Sequence, residues 1–225
     1  DVLFTETFDD EGIWPSGWTF DQYIDPDTGQ PYVLGHNWKV SSGYQEPNES
    51  AVIFEWYPRI PLPTDVNLNT IDDIPNNPQS SLETSYELSL QSPDINVGDN
   101  NGVLVKFQIA LDYWDNESSH INGLIVEADG GNGWSEMLRY EVGGADAGSD
   151  FSTDARTESF TVPIESGVLK LKWKTYGTDS YFINAWIIDD VEVLTLPKLS
   201  FVSIESNNAT NSQSAMDNDV VTLTF

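Results

Sequence analysis

The sequence predicts an all-β domain, built as a two-sheet antiparallel sandwich with loop insertions. Three observations predict it. Short runs alternate apolar and polar residues with the two-residue period of a strand. Clusters of Gly, Pro, Asn and Asp separate those runs. No segment carries a helical period of convincing length.

The elements follow in order. VLFTETF (Val2–Phe8) sets Phe4, Glu6 and Phe8 against Leu3, Thr5 and Thr7. DQYIDPDTGQPYVLG (Asp21–Gly35) has the turn residues of a surface loop. AVIFEWY (Ala51–Tyr57) is a second strand, and SYELSL (Ser85–Leu90) a third. Between them, Pro58 to Thr84 is rich in Pro, Asn and Asp and forms an irregular excursion. VLVKFQIALDYW (Val103–Trp114) places Val103, Val105, Phe107, Ile109, Leu111 and Tyr113 on one apolar face. GLIVEADGGNGWSEMLRY is a hairpin turning at Asp129–Gly133. VLKLKWKTY (Val168–Tyr176) points Leu169, Leu171 and Trp173 inward and Lys170, Lys172 and Lys174 outward. YFINAWIIDDVEVL (Tyr181–Leu194) closes the set. After Leu196-Pro197 two strand-like ends flank a polar middle, too little for a domain alone. The division expected is therefore 1–195 for the sandwich and 196–225 for a linker and the first strands of a following Ig-like domain. The other reading has that tail packing back on the sandwich.

Length and composition bound the function. A chain of 225 residues holds one large domain, or one domain and a fragment, and 39% hydrophobic residues suffice for a core. Nine Lys+Arg against 37 Asp+Glu give a net charge of -28, which repels nucleic-acid phosphate and anionic headgroups. Such a surface suits high salt or divalent cations, or serves solubility alone. No apolar run approaches the ~18–20 residues of a membrane span. No charged-then-apolar leader opens the chain, so it is expected to begin after a signal peptide or inside a longer protein. The absence of cysteine excludes disulfides, zinc–thiolate sites and cysteine nucleophiles.

The last strand holds an anomaly. Extended from Ile187, one face carries Ile187, Asp189, Val191 and Val193, and the other Ile188, Asp190, Glu192 and Leu194. Asp190 and Glu192 face water, but Asp189 falls on an apolar row, where an unpaired carboxylate is costly. Glu6 repeats the pattern between Phe4 and Phe8. In a sandwich the terminal strands are often neighbours, and a hard cation would relieve both acids. Calcium takes six to eight oxygens at about 2.3–2.6 Å and accepts carbonyls as well as carboxylates. The loop QEPNES (Gln45–Ser50) is the candidate for further ligands, through Asn48 or backbone oxygens. The competing reading has Glu6 accepting backbone N–H groups at a strand end and Asp189 capping a turn, or both lying at a wet rim.

At these residues the sequence resembles the cleaved-adhesin family. LFTETFDDEGIWPSGWTF followed by NWKV matches that family's opening through Phe4, Glu6, Phe8, Pro15, Gly17, Trp18, Asn37 and Trp38. LSLQSPDINV matches a strand ending through Ser92, Pro93, Ile95 and Val97. YGTDSYFINAWIIDDVEV matches the closing stretch through Thr178, Asp179, Asp189, Asp190 and Val191. The resemblance covers roughly residues 1–195. It implies a jelly-roll sandwich of the galactose-binding or MAM type, bound calcium, and a role in adhesion or as an accessory module of bacterial surface proteins. It also implies a possible second calcium site, for which Asp112, with Asp115 and Glu117, is the candidate; a solvated acidic turn is the plainer reading. The long Tyr57–Thr84 insertion and a first loop without Asp-x-Asp-Gly depart from the pattern, so loop specificity does not carry over. The tail, FVSIESNN to NDVVTLTF, resembles the start of bacterial Ig-like repeats.

Three functions then compete. An enzyme is disfavoured: the two histidines, His36 and His120, lie in no H-E-x-x-H and no G-x-S-x-G is present. Paired acids carry no information among 37. A binder of host or environmental glycans or of a surface protein rests on eight tryptophans. Trp114 faces away from its strand's apolar row, and Trp56 and Tyr57 lead into a loop; packing beneath a loop is the competing reading. The third function is a spacer in a larger protein, or an accessory module of a secreted hydrolase. The expectation is a calcium-stabilised, non-catalytic adhesin module at the bacterial surface or outside the cell, joined to further domains of the same chain.

Overall fold

Alternation becomes twelve strands in the described residues of the computed structural model, which are 1–10, 13–21, 38–42, 50–55, 85–113, 121–143, 155–178 and 183–196. They are β1 (Val2–Glu6), β2 (Thr19–Phe20), β3 (Trp38–Ser42), β4 (Ser50–Glu55), β5 (Tyr86–Gln91) and β6 (Ile95–Asn96). The second half supplies β7 (Gly102–Tyr113), β8 (Asn122–Asp129), β9 (Ser135–Val142), β10 (Arg156–Pro163), β11 (Val168–Gly177) and β12 (Ile183–Thr195). One sheet has the order β10-β7-β12-β4-β3, with β1 also on β12. The other has the order β2-β5-β11-β8-β9, with β6 also on β11. All pairings are antiparallel. The chain divides into two compact units, Asp1–Thr195 and Leu196–Phe225. The tail read as Ig-like lies, from residue 197, outside the described residues, as do most of the Asp21–Gly35 loop and the Pro58–Thr84 excursion.

The inward rows are the apolar rows. Val103, Val105, Phe107, Ile109 and Leu111 of β7 are buried, as are Leu169, Leu171 and Trp173 of β11. Trp173 joins the layers: Phe107 meets it edge-on at 5.6 Å, and Trp18 stacks on it at 5.8 Å. Trp38 packs edge-on against Phe54 at 5.3 Å, and its indole N–H donates to the Leu88 carbonyl of the other sheet at 3.3 Å. Burial of such rings dominates the core, each removing on the order of 150–250 Å² from water.

One long strand escapes the periodicity reading. In β10 the row facing the core holds Arg156, Glu158, Phe160 and Val162, opposite Ile109, Phe107, Val105 and Val103. Arg156, exposed at its start, pairs with the half-buried Glu158 at 2.7 Å. An edge strand with two apolar residues on its inner row gives little alternation to read.

Candidate functional site

β12 changes partner halfway along. Ala185–Ile188 pairs with β4 from Glu55 to Val52, and Val191–Leu194 pairs with β1 from Glu6 to Val2. Thus β4 and β1 follow one another along the same edge, and a seam falls at Asp189 and Asp190. On the other edge β7 continues, but its register shifts between Asp189↔Gln108 and Glu192↔Lys106. Two residues of β12, Asp190 and Val191, therefore face the single residue Phe107. This is a β-bulge, with Asp190 left-handed at φ 46°. Asp tolerates that conformation better than most residues because its short side chain bonds locally.

The bulge corrects the assignment of faces. Ile188 lies in the main core, and so do Val191 and Val193. Ala185 and Ile187 lie instead with Ala51, Ile53 and Ala110, on the opposite face of the sheet. The extra residue reverses the parity. Asp189 does sit on an apolar row, but that of Ala185 and Ile187 rather than that of Val191 and Val193. It is 6% exposed, whereas Asp190 is exposed.

Glu6 reaches the seam from β1. Its cross-strand partner is Val191, so by register it shares the core-side row with Phe4. The two acids are thus on adjacent strands but on different rows. The expected strand stops at Glu6 because Phe8 turns left-handed, φ 50°. That turn buries the Phe8 ring, which meets Trp18 edge-on at 4.9 Å. Phe8 and Asp190 are the two non-glycine residues with positive φ among the described residues. Such conformations cost on the order of 1–3 kcal/mol each and persist where surroundings enforce them. Here one closes each side of the seam.

Each of the seam carboxylates accepts a hydrogen bond from a neutral donor. The Phe8 N–H donates to Glu6 Oε1 at 3.2 Å, and the Asp190 N–H to Asp189 Oδ1 at 2.8 Å. Gln108 Nε2 donates to Asp190 Oδ2. These are the strand-end and turn-capping bonds of the competing sequence reading. Ser50, the first residue of β4, is 3% exposed and enters β4 at the seam. The chain arrives there from residues 43–49, outside the described residues, and Asn48 is among them.

In kind, this donor set suits calcium: hard oxygens, one carboxylate buried, and a second on the adjoining strand. In number it is incomplete, since among the described residues no three His, Cys, Asp or Glu gather as a metal group. Asp112 does not complete it. It lies opposite Ala185 on β7, four residues from Gln108 and so about 14 Å along the strand from the level of Asp189. Trp56, Tyr57 and Trp114, the residues read as ligand-binding, lie outside the described residues.

The outer face of the second sheet forms another surface, which the sequence reading passed over. Lys170, Lys172 and Lys174 of β11 point outward as expected, and each meets an acid. Lys172 Nζ is 2.8 Å from Glu127, Lys170 is 3.5 Å from Asp94, and Lys174 is 3.6 Å from Glu87 and 3.5 Å from Glu127. Arg139 holds Glu136 at 2.6 Å and donates to the Tyr176 hydroxyl at 2.8 Å. The hydrogen bond from Arg139 keeps the Glu136 carboxyl below its usual range. Tyr176 donates in turn to Glu141, and its ring lies over Gly123, where a β-carbon would come within 2.5 Å of it. Burial, and then the bond to Glu141, push the Tyr176 phenol up to about 12.

Trp134 completes this face. Asp129 Oδ1 accepts the N–H groups of Gly131 and Gly133 at 2.8 and 2.9 Å, fixing the turn before it. Its indole lies against the Lys172 ammonium, 3.9 Å from the ring centroid, and the residue stays 38% exposed. The GNGW run was the available signal: a tryptophan at a turn tip, outside both apolar rows. Two clefts border the face. One, of ≈ 260 Å³, is lined by Thr19, Phe20, Asp21, Ser89, Gln91 and Lys172. The other, of ≈ 290 Å³, is lined by Asp94, Asp129, Gly131, Ser166, Val168 and Lys170.

No protein-family model matches the chain, and no curated protein matches it. Solved structures do. The K1 cleaved adhesin domain of Lys-gingipain from Porphyromonas gingivalis W83 is 16% identical, with TM-score 0.51, over 86% of this chain and 98% of that one. The K3 domain of the same protein is 17% identical, with TM-score 0.51, over 86% and 97%. A CBM22-1 xylan-binding domain from Paenibacillus barcinonensis Xyn10C aligns at 11% identity and TM-score 0.44, over 88% and 96%. The sandwich of two antiparallel sheets described above is the jelly-roll fold seen in the cleaved adhesin domains of Lys-gingipain.

Proposed function

We propose that this domain is a non-catalytic binding module of an extracellular, adhesin-type protein, recognising a glycan or protein on a target surface. The observation that carries the reading is the outer face of β2-β5-β11-β8-β9. Its lysines and Arg139 each meet an acid and its exposed ring lies against a cation, so part of the surface is ordered before any partner arrives. Preorganisation of this kind favours binding because little side-chain entropy is left to lose. The shared fold of the cleaved adhesin domains supports the same reading. No helix of the described residues is long and apolar enough to cross a membrane.

Calcium at the seam belongs to this proposal. Asp189 would hold it from its own face of the sheet, and Glu6, the last residue of β1, would have to reach it through the gap between β1 and β4. The test of the binding reading is direct. The 225-residue chain, with calcium, is applied to arrays of immobilised glycans and of extracellular proteins. Retention on either supports a binder. Retention on neither, with a calcium-dependent melting temperature, leaves a stiff spacer instead.

A further inference from the structure

We infer that the partner of the outer face is a neutral oligosaccharide, stacked on Trp134 and hydrogen-bonded to the side chains beside it. This rests on the binding-module reading and specifies its site and ligand class.

The indole supplies the platform. Trp134 keeps 38% of its surface exposed with the Lys172 ammonium 3.9 Å from its ring centroid, so a ligand can reach the indole while the cation holds it. A flat apolar face open to water beside polar groups suits a pyranose ring, whose C–H groups cover the π-surface while its hydroxyls reach outward. The ammonium fixes the ring in place, and the Asp129 turn fixes the backbone beneath it.

The clefts supply the polar partners. Lys172 and Gln91, cross-strand neighbours, line one cleft with Asp21, whose Oδ2 already accepts the Ser89 N–H at 3.0 Å. Lys170 and Asp129, also cross-strand neighbours, line the other. Lysine donors beside carboxylate or amide acceptors can satisfy both functions of a hydroxyl. Two clefts on one face, lined by Lys172 and by Lys170, suit a chain of several sugars rather than one.

Charge selects the class. Each lysine of this face is already within 3.6 Å of an acid, so among the described residues the face offers no uncompensated cation to an anionic ligand. The chain as a whole carries a net charge of -28. Uronate, sulfate and sialic acid are repelled by that field, while a neutral glycan is indifferent to it.

Affinity electrophoresis of the 225-residue chain tests this, with calcium, through gels containing galactan, xylan, β-glucan or mannan, and through a gel containing pectate. At least one neutral polysaccharide should retard the wild type, and pectate should not. Trp134→Ala should weaken that retardation at least tenfold while lowering the melting temperature by no more than about 4 °C. Gln91→Ala, in the neighbouring cleft, should weaken it several-fold, and Trp134→Phe should retain most of it. Wild-type retardation of both Trp134→Ala and Gln91→Ala would move the site elsewhere and overturn the inference, leaving the binding-module reading intact. Retardation by pectate alone, or retention on proteins alone, would overturn the ligand class. Failure on every glycan and every protein would remove the binding-module reading itself.

Discussion

The seam in β12 and the outer face of β11 both gather carboxylates, and the backbone takes a different part in holding them. On β11, Glu127, Asp94 and Glu87 meet lysines, and Glu136 meets Arg139. At the seam, Glu6, Asp189 and Asp190 are reached by two backbone N–H groups and an amide. The chain has nine Lys+Arg, and four of them, Lys170, Lys172, Lys174 and Arg139, lie on that one outer face. The difference teaches that the outer face orders its acids by side chains reaching across strands, and the seam by bends of its own backbone. It also separates a surface ordered in part by its own pairs from a junction held by bent backbone.

The comparison is broken most forcefully at the seam. If calcium binds the folded state there, an excess of one hundred times its Kd adds about 2.7 kcal/mol. For a domain of this size that is a rise in Tm of about 5–10 °C over the chelated protein. Calorimetry with calcium or with EGTA measures it. Asp189→Ala should lose most of the rise and the exposed Asp190→Ala should keep it. Identical melting of the wild type in millimolar calcium and in EGTA would mean that the seam closes without calcium.

Next comes the outer face. Lys172→Ala removes the cation from the Trp134 ring and leaves the half-buried Glu127 with Lys174 as its partner. The expected loss is about 1–2 kcal/mol by urea denaturation. A double-mutant cycle with Trp134→Ala should return a coupling of about 0.5–1 kcal/mol. Additive losses would show that Lys172 does not hold the indole.

A smaller effect sharpens the account of strain. Asp190 has φ 46°, a conformation glycine adopts freely. In EGTA, Asp190→Gly should therefore gain about 0.5–1 kcal/mol. A loss of the same size would mean that the bond from Gln108 outweighs the strain.

The smallest effect is alkaline. Tyr176 is pushed up to about 12, whereas an unfolded tyrosine ionises near 10. Its contribution is fully present below pH 10. Between pH 10 and 12 the unfolded chain gives up this proton and the folded chain keeps it, so the contribution falls as pH rises. Urea melts across that window should show a shallower decline for Tyr176→Phe. Parallel declines in the two proteins would assign the alkaline loss to other groups.

Much of this was legible in the residues. The odd row of β7 and the inward row of β11 are buried as alternation requires, and Trp18, Trp38 and Trp173 are core. The pairing of β1 with β12 was inferred from two misplaced acids, Glu6 and Asp189. The row of Asp189 was not legible, because a bulge inserts one residue and reverses every face beyond it. Trp134 was overlooked because a turn-tip residue has no row, and its role depends on a lysine 38 positions later in the chain. Two-residue strands such as β2 and β6 are too short to show a period.

By itself the sequence determined the architecture. Period-two burial fixes which residues of each strand face inward, and that is a local property of the pleat. Only the tertiary structure decided where β12 bends and which cation meets which acid. The reason is that β4 and β1 must share one edge of a single strand while β7 runs unbroken along the other. The mismatch is taken up at Asp190, and no residue's own preference could place it there.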